Sequence, residues 1–173
     1  MKEKEEKIKV SKEQFAEALY IWFLKCFNEK AIKETAKDLE LKIKNDIDYL
    51  KIYKELFFLN MWIVVRACEN EFEDENKRDE CLDIFHHFVC ERFIPGITNF
   101  KNWMKSLGEK YAEYDKAMET EHPLTPTYVL AKLINKNIFG ELKKSISPQM
   151  TISTKIVFSV KHLRKAIRQF DIK

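Results

Sequence analysis

The apolar positions of this chain recur at spacings of three and four along most of its length, which is the period of helices packed on one another. Ser11 with Gln14 has the spacing of a capping box, so a first helix is expected to start there, carrying Phe15, Ala18, Leu19, Trp22, Phe23 and Cys26 on one broad face. The segment from Asn28 to Lys44 is charged, helical in propensity and weakly patterned. A second strong helix is read from about Asp46 to Phe72. Ile47, Leu50 and Tyr53 make its early turns amphipathic, and Leu56 to Val65 is apolar nearly all round, as at the centre of a bundle. The acidic run from Glu69 to Glu75 then reads as a polar, exposed turn.

A third helix is expected from about Glu75 to Phe93, burying Leu82, Phe85, Phe88 and Val89 and stopping at Ile94, Pro95 and Gly96. The fourth has the clearest spacing: Phe100, Trp103, Met104, Leu107, Tyr111, Tyr114 and Met118, with a break at His122 and Pro123. Thr125 followed by Pro126 reads as an N-cap and first-turn proline. The fifth helix carries Tyr128, Leu130, Leu133 and Ile134 and stops at Gly140. Residues 145–153 read as a loop, with a brief extended stretch possible over 151–156. A last helix, from about Ile152 to Phe170, repeats Ile156, Val160, Leu163, Ile167 and Phe170. The expectation is an all-α, single-domain bundle of about six helices across residues 1–173, with no convincing strand and a frayed, charged N-terminus over residues 1–10.

Composition agrees with that picture. Among 173 residues, 45% are apolar and 34% charged, with three Gly and four Pro, too few for the turns of an all-β fold. The Lys/Glu run at the start does not read as a secretory signal. The ten-residue stretch from Leu56 to Val65 is half of the roughly 20 residues a spanning helix requires. A cytoplasmic protein is expected, with Cys26, Cys68, Cys81 and Cys90 reduced and serving as small buried hydrophobes.

The charge is unevenly spread. Residues 1–45 sum to +2, residues 46–121 to −7 and residues 122–173 to +8. The basic excess gathers on the last helix, where Lys161, Arg164, Lys165 and Arg168 lie off the apolar stripe. Such a face can meet an anionic membrane, RNA phosphate or an acidic partner, or can simply face water. No nucleic-acid-binding module is recognisable, so sequence-specific recognition is not expected.

Candidate chemistry is sparse. Asp83 with His86, and Glu119 with His122, have the i, i+3 spacing by which helical bundles hold metals, and Glu80, Asp83, His87 and Glu91 align on a second face. A metal-dependent helical enzyme is therefore one alternative. The further inward carboxylates of a di-metal site are missing from the other apolar helices, and no metal or other cofactor is expected. No Ser or Cys stands in a Gly-rich turn and no phosphate-cradling loop is present, so a non-enzyme is the favoured reading.

Four segments, read in order, resemble the ubiquinol-cytochrome c chaperone family: Leu59 to Arg66 (LNMWIVVR), Cys81 to Phe88 (CLDIFHHF) with Glu91, Tyr114 to Met118 (YDKAM), and Val160 to Ile167 (VKHLRKAI) with Phe170 and Asp171. Leu130 to Phe139 is similar to a further helix of that family. The resemblance covers about residues 56–171. It implies a non-enzymatic assembly factor that binds newly made cytochrome b at the inner face of a membrane, near the ribosome exit in the organelle case. Under that reading Lys161, Arg164, Lys165 and Arg168 supply attraction to lipid or ribosome and exposed aromatics hold the client. A soluble scaffold or oligomer subunit without a membrane role is the remaining alternative.

Overall fold

The computed structural model describes residues 7–38, 43, 45–94, 99–120, 125–140 and 146–173. Among them are seven helices: α1 (Lys12–Cys26), α2 (Glu29–Asp38), α3 (Asp46–Glu69), α4 (Glu75–Phe93), α5 (Phe100–Glu119), α6 (Pro126–Phe139) and α7 (Ser147–Ile167). The protein is all-α, a bundle of helices around one continuous apolar core. The helix starts follow the capping chemistry. Ser11 and Gln14 form the reciprocal capping box of α1, Asn45, Asp74 and Asn99 cap α3, α4 and α5, and Thr125 caps α6 with Pro126 in its first turn. Gly140 ends α6 at φ 77°, the left-handed conformation that a side chain would oppose.

Helix α3 is the axis of the fold and packs on each of the other six helices. Its turns from Leu56 to Val64 bury Leu56, Phe57, Leu59, Met61, Trp62, Ile63 and Val64, as the nearly all-round apolar pattern requires. Phe23 of α1, Phe27 just after it, Phe57 of α3 and Phe93 of α4 close one end with edge-on ring contacts near 5.5 Å. Helix α7 lies along α3 and α6, and α5 packs on α6.

Several expectations are corrected. Helix α2 makes the count seven. It buries only Ile32 and Ala36, one short i, i+4 pair, so its pattern is faint. The stretch read as a loop over 145–153 is largely helix, because α7 begins at Ser147 with Pro148 in its first turn. Its buried face there includes Gln149 and Ser153, polar residues that hide the apolar stripe; the Ser153 hydroxyl is satisfied 2.8 Å from that of Thr127. Two short strands also form, β1 (Ile8–Val10) and β2 (Phe170–Ile172), paired in parallel with Ile8 opposite Phe170. The last helix therefore stops at Ile167. Part of the charged N-terminus is tied down, while residues 1–6 lie outside the described residues. Ile47 and Leu50 are solvent-exposed at 64% and 61%, not core. Cys68, Cys81 and Cys90 are buried, whereas Cys26 is half-buried. The stops proposed at Pro95 and Gly96 and at Pro123 fall outside the described residues.

The largest correction concerns the acidic turn between α3 and α4. Phe72 packs edge-on against Phe15 at 5.5 Å, and the Glu71 side chain is only 8% exposed. Arg168 of the turn after α7 donates to both Glu71 oxygens, at 2.6 and 2.9 Å, and Arg164 donates through Nε to Oε1. A nearly buried carboxylate requires such partners, and Arg168 followed by Arg164 holds its pKa below the usual 4.5. Opposite, α4 meets α5 where His86, also buried, has its Nε2 3.2 Å from the Tyr111 hydroxyl. Burial pushes the His86 pKa down from 6.5 to about 4.

Both groups lower stability in acid. The folded-state pKa of each is depressed, so the contribution of Glu71 is present above 4.5 and fades as pH falls through its lowered value. That of His86 is lost between 6.5 and about 4, by up to about 3 kcal/mol. Urea unfolding across that range should show the loss, and His86→Phe should flatten it; an unchanged slope would place the proton elsewhere. Glu71→Gln should cost about 1–3 kcal/mol at neutral pH, because two arginines lose their charged acceptor.

Candidate functional site

Most of the basic residues of α7 surround a single groove of about 780 Å3 between α7 and the ends of α3, α5 and α6. Trp62 and Ile156, both almost fully buried, lie at its floor, with Met118, Val157, Phe158 and Val160 as apolar walls. Lys161, Arg164 and Lys165 stand along α7 with Arg168 in the turn after it, and Arg66 approaches from α3. The spacing explains the alignment: Val157, Lys161, Arg164, Lys165 and Arg168 recur at three and four and so share one side of the helix.

The floor is held by a polar cluster. The Trp62 indole Nε1 donates to Asp115 Oδ1 at 2.7 Å, and Arg66 Nη2 reaches the same oxygen at 2.5 Å. Arg66 Nη1 donates to Glu69 at 2.8 Å, with its guanidinium carbon 5.5 Å from the Trp62 ring. Tyr114 abuts Trp62 edge-on at 6.0 Å, and its hydroxyl donates to the Glu55 carboxylate at 2.8 Å. Asn137 donates to the same Glu55 oxygen at 2.8 Å, and Lys110 lies 3.2 Å from the other. In this second cluster Lys110 offsets the buried Glu55 charge. Burial, followed by the Glu55 charge, raises the Tyr114 pKa well above its usual value, so the phenol remains a donor.

The four basic residues do not behave alike. Arg164 and Arg168 are committed to Glu71, whereas Lys161 and Lys165 are exposed and make no ion pair among the described residues. Next to them is Phe158, 62% exposed. All 22 Phe, Trp and Tyr side chains fall within the described residues, and Phe158 alone among them is largely exposed. Its position was not readable beforehand, because at helical spacing it sits beside apolar residues that do face the core. Three of the four segments that carry the family resemblance meet here: Trp62 with Arg66, Asp115 with Met118, and Val160 to Arg164. The fourth, on α4, faces α1 and α5 instead.

The candidate metal ligands are placed differently. Asp83 and Glu119 are exposed, His86 is buried against Tyr111, and His122 lies outside the described residues. Glu80, Asp83, His87 and Glu91 do share an exposed face of α4, where Glu80 pairs with Lys12 and His87 stacks on Phe100 at 4.0 Å. Among the described residues no group of three or more His, Cys, Asp or Glu side chains converges as a metal site. Nor, among them, is any helix long and apolar enough to cross a membrane.

No family model matches the chain, and no curated protein or solved structure matches it either.

Proposed function

We propose that this protein is a non-enzymatic assembly chaperone that rests on an anionic membrane surface and holds a client polypeptide there. The observation that carries this reading is the outward face of α7, where exposed Val157 and Phe158 adjoin the unpaired Lys161 and Lys165. Apolar side chains enter the headgroup boundary while lysines meet lipid phosphate, which is how interfacial helices attach without spanning. Ile146 and Met150 extend the exposed apolar run towards the start of α7. The resemblance to ubiquinol-cytochrome c chaperones supplies the client class, a nascent cytochrome b. Arg164 and Arg168 take no direct part in this reading. They fasten α7 to Glu71 and so present the two lysines.

A second reading has its own observation. Ile47 and Leu50 are exposed near the start of α3, and Ile43 just before it is 40% exposed. Such a group suits contact with another polypeptide, whether client or second copy of the chain. A stable dimer in light scattering that Leu50→Lys dissociates would favour an oligomer subunit; a monomer in both forms removes that reading.

Co-sedimentation with anionic and neutral vesicles across a salt series tests the membrane reading. Binding should be confined to anionic vesicles and weaken with salt. Lys161→Gln with Lys165→Gln should reduce it roughly 30-fold, at about 1 kcal/mol for each lysine. Phe158→Ser should weaken binding even at low salt. Unchanged binding in both variants, or none in the unaltered protein, would contradict the proposal.

A further inference from the structure

We infer that the groove beside α7 takes one acyl chain of an anionic membrane phospholipid, with the lipid phosphate held between Lys161 and Lys165. This rests on the membrane-surface reading for the source of the lipid, and it adds a specific site to what would otherwise be diffuse attraction. Three properties of the groove lead there. Its volume of about 780 Å3 falls within the roughly 300–1,000 Å3 of sites that enclose small molecules. Its deepest surface is hydrocarbon and indole, from Ile156 and Trp62, reached between walls formed by Met118 and Val160. Trp62 and Ile156 are only 2% and 1% exposed, and such narrow access suits a single alkyl chain better than a helical segment about 10–12 Å across.

Charge decides the headgroup. Among the described residues no acid lines the groove, and the acids that contact its lining are engaged, Asp115 by Trp62 and Arg66, Glu69 by Arg66, and Glu71 by Arg164 and Arg168. Among the described lining residues the unengaged charge is therefore of one sign, that of Lys161 and Lys165, one turn apart on the same side of α7. Apolar depth with a cationic rim complements a hydrocarbon tail ending in phosphate. It opposes a free inorganic anion, which would leave the apolar floor wet, and gives a zwitterionic headgroup no net attraction.

Trp62 reports occupancy directly. In a Trp22→Phe, Trp103→Phe background it is the sole indole, and the probe is lysophosphatidylglycerol carrying a spin label on its chain, kept below its micelle concentration. Saturable quenching of Trp62 is expected, weakened about tenfold or more by Lys161→Gln with Lys165→Gln and by exchange for labelled lysophosphatidylcholine. Val157→Glu, at an exposed position on the wall, should weaken it as well. Native mass spectrometry of the unaltered chain with unlabelled lysophosphatidylglycerol should count one lipid per protein, which keeps the test valid if the double-Phe background folds poorly. Absence of both quenching and the one-to-one adduct overturns the inference, whether or not an acidic apolar peptide occupies the groove. So does equal response to both lipids. Vesicle binding without Trp62 quenching by chain-labelled lipid would remove the groove site and leave the membrane reading standing. Saturable quenching without vesicle binding would do the reverse.

Discussion

The carboxylate of Glu71 sets the terms for the C-terminal third of the molecule. It stands nearly buried in the turn between α3 and α4, and a carboxylate in that setting is tolerated only with cationic donors on its oxygens. Arg164 and Arg168 supply them from more than 90 residues away in sequence. That contact fixes the rotation of α7 about its own axis. Leu163 and Ile167 then turn inward, and Lys161, Lys165 and Phe158 turn outward. What looks like a uniform basic helix is thereby divided into a pair of fasteners and a pair of free charges.

The groove follows from the same division. Helix α7 is tied to the turn after α3 by Glu71 and to the end of α2 by Lys155, whose ammonium lies 2.9 Å from Asp38 and 3.0 Å from Thr35. Between these anchors Trp62 forms part of the groove floor while almost fully buried, its indole N–H held by Asp115, its face under Arg66 and its edge against Tyr114. The Glu55, Tyr114, Asn137 and Lys110 cluster beneath it holds α3, α5 and α6 in register, so the cleft has rigid walls. On α7, exposed Val157 and Phe158 and the cations Lys161 and Lys165 border this cleft together.

Much of the fold was legible because its signals are local. Capping at Ser11 and Thr125, the left-handed stop at Gly140, and the nearly all-apolar stretch of α3 each depend on neighbours within a few residues, and each stands in the structure as read. What was missed depends on distant partners. Glu71 reads as one more acid in a polar turn until its arginines are known. The early part of α7 has a loop-like sequence because Gln149 and Ser153, both buried, break the apolar period. Ile47 and Leu50 have core spacing, but among the described residues no helix covers them. The four basic residues of α7 were identifiable as a group, yet their separation into paired and unpaired members, and the cleft they flank, arises only from the docking of α7 on α3.

The claim that joins these features is that α7 presents a single outward surface to an anionic membrane while its inner contacts stay locked. Hydrogen–deuterium exchange of the full chain, with and without phosphatidylglycerol-containing vesicles, tests it most directly. The account predicts added protection confined to peptides spanning about Val157 to Lys165, with the turn around Glu71 unchanged. Protection centred on other helices with none on α7, or release of the Glu71 turn on binding, would contradict it.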